Sequence, residues 1–137
     1  MSALGSTVTL DLPFDGAVEA VTAALAAEGF GVISRIDLDK AFAEKLGRDF
    51  HRYTILGACN PGLAHKAVTA RPEVGLLLPC NVTIEDTPGG RVVRIIDAAS
   101  MMSIGDLGRT PEIVELGADA SARLGRVALA LRGGAKG

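Results

Sequence analysis

Two cysteines, the only thiols in the 137-residue chain, have similar neighbours. Each is followed by an asparagine and has a proline within two positions, in Cys59-Asn60-Pro61 and in Pro79-Cys80-Asn81. Because proline fixes φ and interrupts regular structure, both thiols are predicted where the backbone changes direction. A sulfur at such a position lies within reach of a ligand.

The first cysteine is predicted to lie beside the start of a helix. Asn60 is a favoured N-cap residue, and Pro61 opens a short helix over Leu63 to Ala70. The free N–H groups and the dipole at that helix end favour the thiolate form of Cys59. The alternative is a small buried hydrophobic residue, as most free cysteines are, and it is stronger for Cys80, which has no helix to activate it.

Three polar residues complete the predicted ligand-binding set, which is Cys59, Asn60, His65, Cys80 and Asn81. His65 lies six residues after Cys59 and is a candidate proton partner or ligand, with an exposed helix histidine as the alternative. The side-chain amides of Asn60 and Asn81 would orient polar groups of a ligand. A fold that returns the chain to one edge of the sheet would bring both thiols together.

Other chemistries have weaker signals. Cys59, His65 and Cys80, with Met101 or Met102, would suit a soft metal such as copper(I) or zinc, but their spacing matches no standard zinc pattern. We therefore predict neither a metal site nor a cofactor. The chain contains no Gly-x-Ser-x-Gly and no Cys-x-x-Cys motif, which argues against hydrolase and thioredoxin-type chemistry and does not favour an enzyme.

Composition indicates one domain over residues 1–137, with an ordered core at about 7–131. Hydrophobic residues make up 48% of the chain, and the mean hydropathy is +0.33. The net charge of -2 gives no attraction to nucleic acid or to anionic lipid. Because no apolar run could span a bilayer and no leader segment is evident, a cytoplasmic protein with free thiols is expected.

The first half of the chain reads as β-α-β-α. Val8, Leu10 and Leu12 alternate with polar residues, which predicts a strand, and Pro13 begins an amphipathic helix that Gly29 ends. A second strand is predicted over 30–37. A short helix follows over 38–47 and ends at a glycine.

The second half adds most of the sheet. A third strand is predicted over 52–58, and a hairpin runs from Cys80 to Ile96 with its turn at 87–90. The apolar run 74–78 is expected to be buried on both faces or kinked. Thr110 caps a final amphipathic helix that reaches Leu131. Together these elements predict an α+β fold, an antiparallel sheet with helices on one face.

The central motifs resemble a known family. They are Leu56-Gly57-Ala58-Cys59-Asn60-Pro61, Ala64-His65-Lys66-Ala67, and the segment from Pro72 to Val82; Leu12-Pro13-Phe14-Asp15 and Gly29-Phe30-Gly31-Val32 agree as well. From about Val8 to Leu131 the chain resembles the family called domain of unknown function 302. The resemblance implies a small bacterial or archaeal homodimer with a saddle-like β-α-β-sheet-α fold similar to that of the TATA-binding protein. It implies no activity.

Two hypotheses of different classes follow. In the first, the protein binds a small ligand or a thiol-linked group around Cys59 and Cys80, with Cys59 as the reactive sulfur. In the second, it is a homo-oligomeric structural or interaction module whose cysteines only pack. The first predicts a native thiol that reagents can reach, and the second predicts protected thiols and a mass that depends on concentration.

Overall fold

The computed structural model describes residues 4–134, which form a five-stranded antiparallel sheet and helices. The strands are β1 (Gly5–Leu10), β2 (Gly31–Asp37), β3 (Tyr53–Cys59), β4 (Cys80–Thr87) and β5 (Gly90–Ile96). The helices are α1 (Phe14–Ala27), α2 (Leu38–Leu46), α3 (Pro61–Ala70), α4 (Ala98–Met101) and α5 (Pro111–Gly134). Two 3₁₀ segments, Pro72–Leu77 and Gly105–Arg109, connect them. The α+β prediction is confirmed.

The strand order is β1-β5-β4-β3-β2, and every neighbouring pair is antiparallel. Alternation along each strand therefore gives the sheet one apolar face and one more polar face. Helices α1 and α5 cover the apolar face, where Val21 and Leu25 of α1 and Val127 of α5 join Val82 and Ile84 of β4 in one core. The strands β1 and β2 form the two edges.

A second, smaller hydrophobic cluster lies beside the main core. It consists of Ala67, Val74, Met102, Leu107 and Ile113. These residues belong to α3, the first 3₁₀ segment, the connection from β5 and the start of α5. The final helix therefore spans both clusters, with Ile113 near its beginning in the small cluster and Leu131 near its end in the main core.

Several element predictions need correction. The apolar run 74–78 is not buried on both faces, because Val74 is buried but Leu76 is 88% exposed; it lies largely in a 3₁₀ segment, which agrees with the kinked alternative. The first strand ends at Leu10 and not at Leu12, and Pro13 is the N-cap of α1. Helix α4, which follows the hairpin, was not predicted from sequence; Asp97 caps it by accepting a hydrogen bond from the Ala99 N–H at 3.1 Å.

No helix within residues 4–134 combines the length and the apolar character that a membrane span requires.

Candidate functional site

The antiparallel pairing of β3 and β4 brings the two cysteines together. Cys59 is the last residue of β3, and Cys80 is the first residue of β4. Ala58 and Cys80 are partners in the ladder, so Cys80 lies opposite the residue that precedes Cys59. Both cysteines are free, and both line the same cavity.

Short side chains create this cavity. Five of its lining residues are alanines: Ala58, Ala64, Ala67, Ala98 and Ala120. Larger apolar side chains, Phe30, Leu63, Leu78, Met102 and Leu116, complete the wall. The cavity therefore lies where the main core meets the smaller cluster, because its walls contain members of both.

The cavity is small and partly open. About 40 Å³ is open to the centres of water molecules. Since roughly 10–15 Å³ on this measure holds one water, the space accommodates a few waters or one small chemical group. Pockets for drug-sized ligands are about 300–1,000 Å³, so the cavity does not enclose a molecule of that size as it stands.

Helix α3 begins directly beside Cys59, as the sequence predicts. The Asn60 Oδ1 atom accepts a hydrogen bond from the Leu63 N–H at 3.2 Å, and Pro61 occupies the first helical turn. The other end of the Asn60 amide lies against the turn that ends α1, because a Cβ built on Gly29 would be 2.9 Å from Asn60 Nδ2. Asn60 therefore connects the helix start to the α1–β2 turn.

The two thiols have different surroundings. Cys59 is half-buried, whereas Cys80 is buried with 7% of its surface exposed. Burial raises the pKa of the Cys80 thiol, and electrostatic repulsion between the ionised forms of Cys80 and Cys59 raises it further. Both effects keep Cys80 protonated, since an apolar environment disfavours a thiolate.

The structure does not bring every predicted site residue to the cavity. Asn60 lines it, but His65 is exposed on α3 and lies outside the wall. Asn81 is exposed and follows Cys80 in β4, so alternation places it on the opposite face of the sheet. Neither residue lines the cavity that the two cysteines share.

Sequence reasoning missed most of the cavity wall. Phe30, Ala98 and Ala120 are distant from both cysteines in sequence and read as ordinary core positions. Met102 lines the cavity and is 6% exposed, while Met101 does not line it.

Within residues 4–134, no group of three or more His, Cys, Asp or Glu side chains could hold a metal ion.

Comparisons with known proteins agree with this fold. Residues 6–131 match the family described as domain of unknown function DUF302. The chain therefore belongs to the DUF302 family, and no function is established for it. The crystal structure of an uncharacterized conserved DUF302 protein from Bacillus stearothermophilus is similar, with a TM-score of 0.83 and 25% sequence identity over 96% of this chain and 100% of that chain. No curated protein shows significant sequence similarity.

Proposed function

We propose that the protein binds a small ligand or a thiol-linked group in the alanine-lined cavity, with Cys59 as the reactive sulfur. The observation that carries this proposal is that the only two thiols, far apart in sequence, line one partly open apolar cavity. Cys59 is the half-buried member of the pair and the one beside the helix start. Cys80 acts as a neutral thiol in the wall.

The size of the cavity limits what it binds. A space for a few waters suits the terminal group of a ligand, such as a methylthio or thiol end, while the rest of the ligand lies outside. The apolar wall favours uncharged groups because burying an unpaired charge there is unfavourable. Asn60 keeps the helix start and Cys59 in position through the hydrogen bond that its side chain accepts from the Leu63 N–H.

This proposal describes a binding protein and not an enzyme. We also propose that the protein is bacterial and lies in the reducing cytoplasm. The similar DUF302 structure is from a bacterium, and free thiols are typical of a reducing compartment.

The decisive experiment is reaction of the native protein with methyl methanethiosulfonate, a small reagent. A thiolate attacks its divalent sulfur, which forms a methyl disulfide on the cysteine and releases methanesulfinate, and each cysteine is read separately by mass spectrometry. We expect Cys59 to be modified first and Cys80 to react only as the protein unfolds. Ala64→Leu places a larger side chain in the cavity wall and should slow the reaction at Cys59. The control is the same variant in urea, where its Cys59 should react as fast as that of the wild type.

Two outcomes would argue against the binding proposal. In the first, both thiols stay unmodified until the protein unfolds, which indicates that the cysteines only pack. In the second, Cys59→Ser unfolds the protein while Cys80→Ser does not, which indicates that Cys59 has a structural role.

A second candidate function is a homodimer that forms through β2. This strand is an edge of the sheet, so one side of its backbone has no strand partner within residues 4–134. Ile33 is 65% exposed and Ile36 is 50% exposed on the same strand. Unpaired edges with apolar residues favour pairing with another strand, and two antiparallel copies of β2 would satisfy two-fold symmetry.

Sedimentation over a range of concentrations tests the dimer. We expect a concentration-dependent mass that Ile33→Lys shifts to the monomer, since a charge in the interface disfavours pairing. Leu129→Lys is the matched control, because Leu129 is also 65% exposed but lies on α5. A monomer at every concentration would exclude this function, and equal effects of the two lysines would exclude β2 as the interface.

A further inference from the structure

The sheet face opposite the helices contains a second cavity, separate from the cysteines. About 200 Å³ of it is open to the centres of water molecules. Ser6 of β1 lines this cavity, but most of the polar wall comes from outward-facing positions of three neighbouring strands: Tyr53 of β3, Asn81 and Thr83 of β4, and Arg94 of β5. Leu4 and Ile96 supply an apolar side.

Arg94 is held in place by a carboxylate that does not itself line the cavity. Its Nη1 atom donates a hydrogen bond to Glu85 Oε1 at 2.7 Å. The other carboxylate oxygen, Oε2, lies 2.7 Å from His51 Nε2. The guanidinium of Arg94 has five N–H donors. Within the described part of the chain, the bond to Glu85 is the one side-chain hydrogen bond that Arg94 makes. Arg94 therefore keeps donors for a ligand, and Glu85 restricts where they point.

The neutral polar residues of the wall also have unused hydrogen-bonding groups. Thr83 is the direct cross-strand partner of Arg94, and its Oγ1 atom is buried without a hydrogen-bond partner in residues 4–134. The side chains of Tyr53 and Asn81 form no hydrogen bonds there either. A buried hydroxyl without a partner is energetically unfavourable, because its desolvation is not compensated. Rotation of the Thr83 side chain toward the cavity would let a ligand oxygen become that partner.

We propose that this cavity binds a small organic monocarboxylate. Within residues 4–134, one cation, Arg94, lines the wall beside neutral donors, which suits a head group of charge -1. The carboxylate would accept hydrogen bonds from Arg94 and Thr83, and its short carbon chain would pack on Leu4 and Ile96. A dianion such as phosphate fits less well, because Glu85 lies next to Arg94, the one cation of the wall within residues 4–134, and its repulsion grows with the negative charge of the ligand.

Titration of ¹⁵N-labelled protein with butyrate, benzoate and inorganic phosphate, followed by amide chemical shifts, tests the proposal. We expect saturable shifts with the carboxylates at residues 81–83 and 94–96. Arg94→Gln should weaken binding about tenfold or more, since it removes a charge-assisted hydrogen bond. Arg126→Gln is the matched control. Arg126 forms an ion pair with Glu28, with a distance of 2.9 Å between Nε and Oε1, and it does not line the cavity. Loss of this ion pair should leave the affinity for carboxylates unchanged.

Thr83→Val gives a second readout that does not depend on the charge. It should weaken carboxylate binding several-fold and leave the urea midpoint unchanged or higher. The proposal is overturned if no carboxylate gives saturable shifts, if Arg94→Gln binds as well as the wild type, or if phosphate binds more tightly than either carboxylate. Shifts of the same residues on dilution without ligand would also overturn it, because a second copy would then cover this face.

Discussion

Cys80 lies directly opposite Ala58 in the β3–β4 ladder, and this pairing brings it beside Cys59 although 20 residues separate the two thiols in sequence. The connection between them contains α3 and the first 3₁₀ segment, and it returns the chain to the end of the sheet from which it left. The same connection supplies cavity wall through Leu63 and Leu78. The positions of both thiols, and of much of the cavity wall around them, therefore depend on the pairing register of β3 and β4.

The helix cap beside Cys59 should contribute measurably to stability. Asn60→Ala removes the hydrogen bond that Asn60 Oδ1 accepts from the Leu63 N–H at 3.2 Å. We expect the free energy of unfolding to fall by about 1 kcal/mol, the usual effect of losing an N-cap. Urea denaturation followed by circular dichroism measures it. Asn81→Ala is the control, since Asn81 is exposed and its side chain makes no hydrogen bond within residues 4–134; equal midpoints for the two variants would contradict this role of Asn60.

Two threonines of the sheet should respond in opposite ways to the same change. Thr54 is 0% exposed, and its Oγ1 donates to Asp37 Oδ1 at 2.8 Å, whereas Thr83 Oγ1 is buried without a partner in the described chain. Thr54→Val should lower the free energy of unfolding by about 1.5–3 kcal/mol, because it removes a hydrogen bond to a carboxylate. Thr83→Val should leave it unchanged or raise it.

The urea midpoints of the two valine variants decide this comparison. If Thr83→Val is destabilised as strongly as Thr54→Val, then the Thr83 hydroxyl has a partner in solution, such as a bound water.

Local patterns in the sequence were sufficient for most of the elements. The alternation around Val8 and Leu10, the Asn60-Pro61 start of α3 and the long apolar stripe of α5 each depend on residues close together in the chain. The segment around Leu76 was harder, because a short apolar run does not distinguish a buried strand from a 3₁₀ segment with exposed residues.

The candidate sites were only partly predictable for a related reason. Cys59, Asn60 and Cys80 could be chosen by residue type, and all three line the cavity. The alanine wall comes from four separate parts of the chain, and each alanine reads as ordinary core. The pairing of Glu85 with Arg94 depends on the hairpin register and on side-chain conformation, which periodicity does not specify.

Stability should decrease in acid partly through Glu85. Hydrogen bonds from Arg94, and then from His51, lower its pKa below the ordinary value of 4.5. A carboxylate with a lowered pKa in the folded state contributes stability that is complete above its unfolded pKa and is lost as the pH falls through the folded pKa. Glu85→Gln should therefore lower stability at pH 7 and flatten its decrease below pH 4.5.

Urea midpoints measured from pH 7 downward test the role of Glu85. Glu19→Gln is the control, because Glu19 is exposed on α1 and forms no ion pair within residues 4–134; its profile should parallel that of the wild type. A Glu85→Gln profile that is also parallel to the wild type would show that Glu85 does not contribute to acid sensitivity.

The contact between Gly29 and Asn60 should appear as an energetic coupling between the α1–β2 turn and the start of α3. Gly29 has φ +86° and Gly47 has φ +62°, so alanine is strained at both positions. Of these two positions, only at Gly29 would the new Cβ approach another side chain, because it would lie 2.9 Å from Asn60 Nδ2. Gly29→Ala should therefore destabilise more than Gly47→Ala. In an Asn60→Ala background this difference should shrink by about 0.5 kcal/mol or more, as expected for residues in contact. Urea denaturation of Gly29→Ala and Gly47→Ala, each in the wild-type and the Asn60→Ala background, measures the coupling. Strictly additive effects would mean that the Asn60 amide does not rest on the turn in solution.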